Sequence, residues 1–318
     1  MPRDAVLILT HSRDFYVTEL VADALAARGA RPVRIDTDRH PTTLDLSLHL
    51  GLGGAVTGRV GDVPVEDVRG VWARRLTVPS LPEDLDPALA GPVVSECQAH
   101  WVALGDLLQD RVWVNPPRSE AAVEGHKLAQ LRAAQAAGLA VPPTLITNDP
   151  AEARAFFAAH HGDIIGKMLT PTSHSMTGRE GFFHTQRLTE EHLEHIDELR
   201  LGPMCLQPRI VPREELRVAW VDGVCHVGAI GGVDSGVDWR LGGGDWRPGA
   251  LDEPTARALG VLMRNMGLRY GAVDLMVPID GPPIFLEVNP AGEWGMLTRD
   301  LGFPIAESLA DALLSGEV

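Results

Sequence analysis

Apolar and polar positions fall into blocks of two different periods near the start of the chain. Residues 5–10 form an apolar run of strand length. Residues 14–28 then place Val17, Leu20, Val21, Ala24 and Leu25 at helical spacing, with Gly29 behind them as a C-cap. Residues 33–36 supply a second short strand. Strand, helix and strand in that order predict a right-handed crossover and the start of a parallel sheet. Residues 44–50 and 55–60 flank a glycine-rich turn and predict a hairpin, and residues 70–73 predict another buried strand. A loop is expected over 79–92 and a helix over 92–108. Asn115-Pro116-Pro117 breaks the pattern, because two prolines continue neither kind of backbone ladder.

Beyond that break the periods change again. One helix is expected over 119–137, with Ser119 as N-cap and Gly138 as its stop. Short strands are expected at 144–147, 164–168 and 182–186, with a helix opened by Asp149-Pro150 between the first two. Residues 170–181 are a polar Ser/Thr/Gly loop. Strands at 204–210, 216–221 and 224–229 read as antiparallel, the last two joined by Asp222-Gly223, a type I′ signal. The glycine- and aspartate-rich stretch 231–249 is long for a plain connection, and such loops are more often functional or mobile. A helix over 253–266, strands at 271–278 and 283–288 and a closing helix over 305–314 complete the pattern. The boundaries divide the chain into 1–115, 116–205 and 206–318.

Length and composition restrict this picture without identifying it. The 318 residues allow two domains or one composite body, large enough to bury a core without staples. Cys97, Cys205 and Cys225 are far apart, which excludes a disulfide framework and points to a reducing cytoplasm. Neither a signal peptide nor an apolar run of membrane-spanning length is expected. With 28 basic and 43 acidic side chains the net charge is −15, so nucleic acid is not an expected partner. An enzyme of that charge handling phosphates must concentrate its cations at the site.

The chemistry concentrates in residues 270–292, YGAVDLMVPIDGPPIFLEVNPAG. Asp274 lies inside the first apolar strand, and Glu287 and Asn289 lie at the end of the second, sharing a face as residues i and i+2. Pairing across the Asp280-Gly281 turn brings Asp274 alongside them. Three oxygen donors without cysteine or histidine suit a hard cation such as magnesium. Taken singly, Asp274 could cap a bulge and Glu287 could be a solvated strand carboxylate. Acidic groups in apolar strands are unfavourable unless paired or metal-bound, which favours a shared site.

An aspartate in an apolar strand followed by E-x-N-P resembles the magnesium site of ATP-grasp enzymes. Lys127, in the helix after the Pro-Pro break, and Lys167, at the end of its strand, fit that family's two nucleotide-binding lysines. Leu206-Gln207-Pro208-Arg209-Ile210 resembles the adenine-binding hinge, which implies that Gln207 and the backbone of Arg209 and Ile210 face adenine. Glu215-Leu216-Arg217-Val218 resembles the D-x-R-V strand that follows it, with Glu215 in place of the usual aspartate and Arg217 reaching toward phosphate or acyl-phosphate. VLILTHSRDF, VRIDTDRHP, VWARR, WVNPP, HKLAQL, VPPTLITN, VDWR and LEVNPAGEW extend the resemblance along nearly the whole chain, to the microviridin-type (graspetide) maturases of ribosomal peptides. Glu293, where that pattern has glutamine, and the Gly242-Gly243-Gly244 run depart from it.

The resemblance implies an α/β composite fold: a parallel-sheet pre-ATP-grasp domain, a small central lobe and an antiparallel C-terminal lobe carrying the metal. It implies ATP and Mg2+ as cofactors. The implied partner is a precursor peptide with a leader and an acidic, Thr-rich core, handled by a homodimer. A side-chain carboxylate of that peptide is activated as an acyl-phosphate and captured by a Thr or Ser hydroxyl, or a Lys amine. Arg240 is a candidate for gripping the carboxylate or acyl-phosphate. Asp238 is a candidate for orienting that arginine or assisting deprotonation of the acceptor. Arg74 and Arg75 are candidates for peptide or phosphate, with one of the two structural. Residues 170–181 are placed as a lid, and residues 182–188 with the acidic helix 189–198 as leader contacts.

Two other readings stay open on sequence grounds: an ATP-grasp ligase for free amino acids or small acids, and a nucleotide-binding interaction protein without catalysis. The G-x-x-x-G-K-M stretch at 162–168 is one residue short of a P-loop and lacks its Ser/Thr.

Overall fold

The chain folds as a mixed α/β protein, described by a computed structural model over residues 3–169, 185–231 and 245–316. Strand β1 (Ala5–Thr10), helix α1 (Val17–Ala27) and strand β2 (Arg31–Asp36) form the expected crossover. Strands β3 (Leu46–Leu50), β4 (Val56–Val60) and β5 (Val63–Pro64) make a separate antiparallel sheet. Strand β6 (Val68–Ala73), helix α2 (Pro87–Leu107) and strand β7 (Val112–Val114) follow. The first sheet is parallel throughout, in the order β2-β1-β6-β7. Every residue of β1 is buried, because the sheet is covered on both faces. Val6 and Ile8 face α1, whereas Leu7 and Leu9 share a core with Leu104 of α2.

Several helices differ from expectation, among them the one expected over 189–198, which is shorter, Glu190–Glu194. The first, α2, begins at Pro87 rather than at residue 92: Asp86 accepts a hydrogen bond from the Ala88 amide at 2.9 Å, and Pro87 occupies the first helical position. The single helix expected over 119–137 is two, α3 (Pro117–Val123) and α4 (Lys127–Ala136). Gly125 separates them at φ +73°, a left-handed conformation that ends a helix. Lys127 is therefore the first residue of α4.

Strands β8 (Leu145–Thr147), β9 (Ile164–Lys167), β10 (Gln186–Arg187) and β11 (Met204–Pro208) form a small antiparallel sheet in the order β10-β9-β11-β8. Helix α5 (Pro150–Ala159) packs Ala153 and Phe157 against Ile164 and Leu206 on one of its faces, and α6 (Glu190–Glu194) lies near the same core. The lid expected over 170–181 lies outside the described residues, as does most of the strand expected over 182–186.

The largest sheet is antiparallel, with strands β12 (Pro212–Val221), β13 (Val224–Gly231), β14 (Arg247–Pro248), β15 (Tyr270–Pro278) and β16 (Ile284–Asn289) in the order β14-β13-β12-β15-β16. Asp222 and Gly223 take φ +44° and +99°, both positive as a type I′ turn requires. One face buries Val218, Val273, Leu275 and Phe285 against Leu131 of α4 and Leu259 and Met263 of α7 (Glu253–Asn265). On the other face Ala219, Val221, Tyr270 and Ala272 join the core beneath β1 and α1. Helix α8 (Gly295–Leu301), which periodicity does not reveal, and α9 (Ile305–Leu314) return the chain to that core. Among the described residues no helix is long and apolar enough to cross a membrane.

Glu120 of α3 is an exception to the ordinary placement of charge. Among the described residues its Oε2 is buried without a hydrogen-bond partner, and burial, reinforced by Glu124, pushes the carboxyl up to about 8. The folded chain therefore keeps a proton that the unfolded chain releases above the usual value of 4.5, so stability falls as pH rises between those two values. Glu120→Gln removes that term. In denaturant unfolding, wild type is expected to lose on the order of 3 kcal/mol more than the variant between about pH 5 and about pH 8. Parallel pH profiles for the two proteins would contradict this.

Candidate functional site

A β-bulge builds the centre of the site. Along β15 and β16 the register pairs Ala272 with Asn289 and Asp274 with Glu287, then slips so that Leu275 faces Phe285, which leaves Leu286 as the extra residue. The slip lets Phe285 and Val288 both reach the core while Glu287 turns to the opposite face, across from Asp274. On the neighbouring strand Arg217 is in register with Asp274. Arg217, Asp274 and Glu287 thus form a row across β12, β15 and β16, on the face away from Val218, Val273 and Val288.

Each carboxylate in the row meets a cation. Arg217 donates from Nη1 to Asp274 Oδ1 at 2.6 Å, and Lys127 donates from Nζ to Glu287 Oε2 at 2.7 Å. Lys127 is placed by Gln130, one turn further along α4. The Gln130 amide donates to the Val288 carbonyl at 3.1 Å and the Val123 carbonyl at 2.9 Å, and its Oε1 accepts from the Val288 amide at 2.9 Å. Among the described residues β16 ends its sheet, touched beyond it only by a bridge at Ala140, and this buried glutamine continues the ladder at Val288. Sequence reasoning missed Gln130; its only signal was a polar residue three positions after Lys127 on a core-facing helix.

The small sheet supplies the opposite wall. Lys167 and Cys205 are register partners, as are Ile165 and Gln207, so these four share the face away from α5. Burial drives the Lys167 ammonium below its ordinary range; Glu287 pulls against that effect and Lys127 adds to it. Gln207 is buried and donates to the Thr144 hydroxyl at 2.9 Å. Arg209 bonds Asp163 twice, from its backbone amide at 2.9 Å and from Nε at 2.8 Å, which turns its guanidinium toward β9. Ile210 is partly buried in the link to β12.

The structure therefore brings Lys127, Lys167, Arg217, Asp274 and Glu287 to one locus. Asn289 ends β16 two residues after Glu287, and its Oδ1 accepts from the Ala291 amide at 3.0 Å. Arg240, Asp238 and the Gly242-Gly243-Gly244 run lie outside the described residues. Of the two candidate arginines after β6, Arg74 is structural. It is buried and donates to Asp14 at 2.9 Å and to Glu293 at 2.6 Å, while Arg75 reaches Glu293 at 3.4 Å.

Three cationic side chains around two carboxylates favour a polyanion that arrives with its own counter-charge. Among the described residues no group of three or more His, Cys, Asp and Glu is placed to hold a metal. The donor set consists instead of two opposed carboxylates with an asparagine amide nearby. All-oxygen donors fit magnesium and disfavour softer metals.

Known proteins resemble the chain over nearly its whole length. The family model of the MvdD pre-ATP grasp domain matches residues 5–121. No curated protein matches the chain. Macrocyclase MdnB from Microcystis aeruginosa MRC is 37% identical, with 98% of this chain and 100% of that one covered at a TM-score of 0.85. Macrocyclase MdnC from the same organism, solved bound with precursor peptide MdnA, is 30% identical, with 98% and 100% covered at 0.87. A RiPP-associated ATP-grasp ligase from Chryseobacterium gregarium, solved with ADP and a leader and core peptide, is 27% identical, with 99% and 98% covered at 0.89. The identity and coverage of the two macrocyclases extend over the sheets that carry the row of Arg217, Asp274 and Glu287, and this chain belongs to the microviridin-type family of RiPP ATP-grasp ligases.

Proposed function

We propose that this ligase uses ATP and Mg2+ to phosphorylate Asp or Glu side chains of a ribosomally made precursor peptide and closes macrocyclic ω-ester or ω-amide crosslinks. The observation that carries the reading is the opposed pair Asp274 and Glu287, each held by a cation, in a family of peptide macrocyclases. Asp274, Glu287 and Asn289 would hold the magnesium, which would supply charge neutralisation. Lys127 and Lys167 bind the phosphates, and Gln207 with the backbone of Arg209 and Ile210 binds adenine. Arg217 and Arg240 steady the transferred phosphoryl group and the acyl-phosphate.

In the first step the substrate carboxylate oxygen bonds to the γ-phosphorus and the bond to ADP breaks. In the second, a Thr or Ser hydroxyl, or a Lys amine, bonds to the acyl carbon and inorganic phosphate leaves. The proton of the acceptor passes to a base, a role we assign to Asp238. The chain is proposed to act as a cytoplasmic homodimer whose units divide at about residues 115 and 205, and to take its peptide by a leader contacting 182–198.

The test incubates the protein with ATP, Mg2+ and an acidic, Thr-bearing peptide, in parallel with free amino acids. ADP release together with loss of water mass from the peptide is expected. Turnover confined to the small acids, or ATP binding without ADP under every condition, would overturn the peptide reading.

A further inference from the structure

The turn after β16 is fixed at almost every residue, although none of its groups past Asn289 belongs to the proposed metal set. Asn115 donates to the Pro290 carbonyl at 2.9 Å, the Ala291 amide donates to Asn289, and the Tyr270 hydroxyl donates to the Gly292 carbonyl at 2.7 Å. Gly292 itself has no room to change, since an added Cβ would lie 2.4 Å from Ala272 Cβ. Glu293 closes the turn from two sides. Its Oε1 accepts from the Gly295 amide at 2.8 Å and the Trp294 amide at 3.1 Å. Its Oε2 meets Arg74 at 2.6 Å and Arg75 at 3.4 Å.

Behind Glu293 stands a buried support. Arg74 is 2% exposed and donates from Nε to Asp14 Oδ2 at 2.9 Å, and the same oxygen accepts from the Thr10 hydroxyl at 2.7 Å. These groups sit at the ends of β1 and β6 in the parallel sheet. In front, the backbone carbonyl of Glu293 accepts from Arg217 Nη2 at 3.1 Å, on the guanidinium whose Nη1 binds Asp274. Among the described residues Arg217 Nε is buried without a partner and two contacts fix the plane of its guanidinium, one of them this carbonyl.

We infer that Glu293 is a positioning residue, whose side chain fixes its own carbonyl and through it the Arg217 guanidinium. The inference rests on the ligase reading, in which Arg217 acts on phosphate. It assigns the parallel sheet a role in aligning an arginine of the distant antiparallel sheet. What the position requires is an acceptor for the Trp294 and Gly295 amides. A glutamine supplies that through its carbonyl oxygen but then turns its amide nitrogen to Arg74, donor against donor, so it keeps the contacts to the two amides and loses the tie to Arg74.

The experiment compares Glu293→Ala and Glu293→Gln with wild type, using the peptide that wild type turns over, and adds Glu293→Ala to an Arg217→Lys background. Glu293→Ala is expected to lower kcat between about 10- and 100-fold with KM for ATP changed less than about twofold. Glu293→Gln should lose less of kcat than Glu293→Ala, and Glu293→Ala should have no further effect on Arg217→Lys. The Arg217 Nε–H resonance, read by NMR without peptide, should move in Glu293→Ala and move less in Glu293→Gln. A kcat near wild type in Glu293→Ala, equal losses in Ala and Gln, or additive losses with Arg217→Lys would overturn the inference. Absence of peptide turnover by wild type would overturn the ligase reading alone, and the unmoved resonance would then be the result that sinks the positioning role.

Discussion

Glu287→Gln is expected to give a folded protein whose ATP-dependent product formation falls by at least about 10²-fold. The carboxylate stands opposite Asp274 in register and accepts from Lys127 at 2.7 Å. An amide keeps the volume and removes one of the two negative charges that a hard cation needs. It also leaves Lys127 facing a neutral group in a site where Lys167 and Arg217 already gather positive charge. The fold should tolerate the change, because Glu287 points away from the Phe285 and Val288 core. Unfolding midpoints close to wild type, weaker Mg2+-dependent nucleotide binding and lost ADP release would form one consistent result. Asn289→Ala should act in the same direction. Full activity in both variants would remove the proposed metal site.

Asn115→Ala is the largest effect expected on stability, about 4 kcal/mol or more in denaturant unfolding. The side chain is 1% exposed and uses its full capacity across two layers of the fold. Its amide donates to the Tyr270 carbonyl at 3.0 Å and the Pro290 carbonyl at 2.9 Å. Its oxygen accepts from the Arg269 and Tyr270 amides, both at 2.8 Å. Truncation strands two donors and two acceptors away from water at the junction of β7 with β15. Asn115→Asp should do no better, since it exchanges two donated bonds for a buried charge. A loss below about 1 kcal/mol in the alanine variant would mean that water replaces the asparagine.

Both residues illustrate how far periodicity and composition reach. The apolar run of β1, the helical spacing of α1 and the Asp222-Gly223 hairpin are local patterns, and local patterns survive translation into structure. Glu287 and Asp274 stood out because carboxylates are rare inside apolar strands. Asn115 did not, because a residue before two prolines looks the same whether it merely ends a strand or also binds a segment more than a hundred positions away. Gln130 stayed hidden for the same reason, and α3 and α4 merged because one glycine within a helical pattern is ordinarily tolerated. Helix α8 is seven residues long and capped by the Glu293 side chain, so its origin is a tertiary contact rather than a period.

By itself the sequence determined the class of fold, most of the strands that build it and the kind of atom that gathers at the site. These depend on side-chain chemistry and short-range spacing, which are written along the chain. Only the tertiary structure decided that a bulge at Leu286 turns Glu287 toward Asp274, that Lys127 opens a helix pinned to β16, and that Arg74 is a buried support. Each of those is settled by register or by a partner distant in sequence. A one-residue slip reverses which face a strand side chain takes, and a sequence read locally does not carry that information.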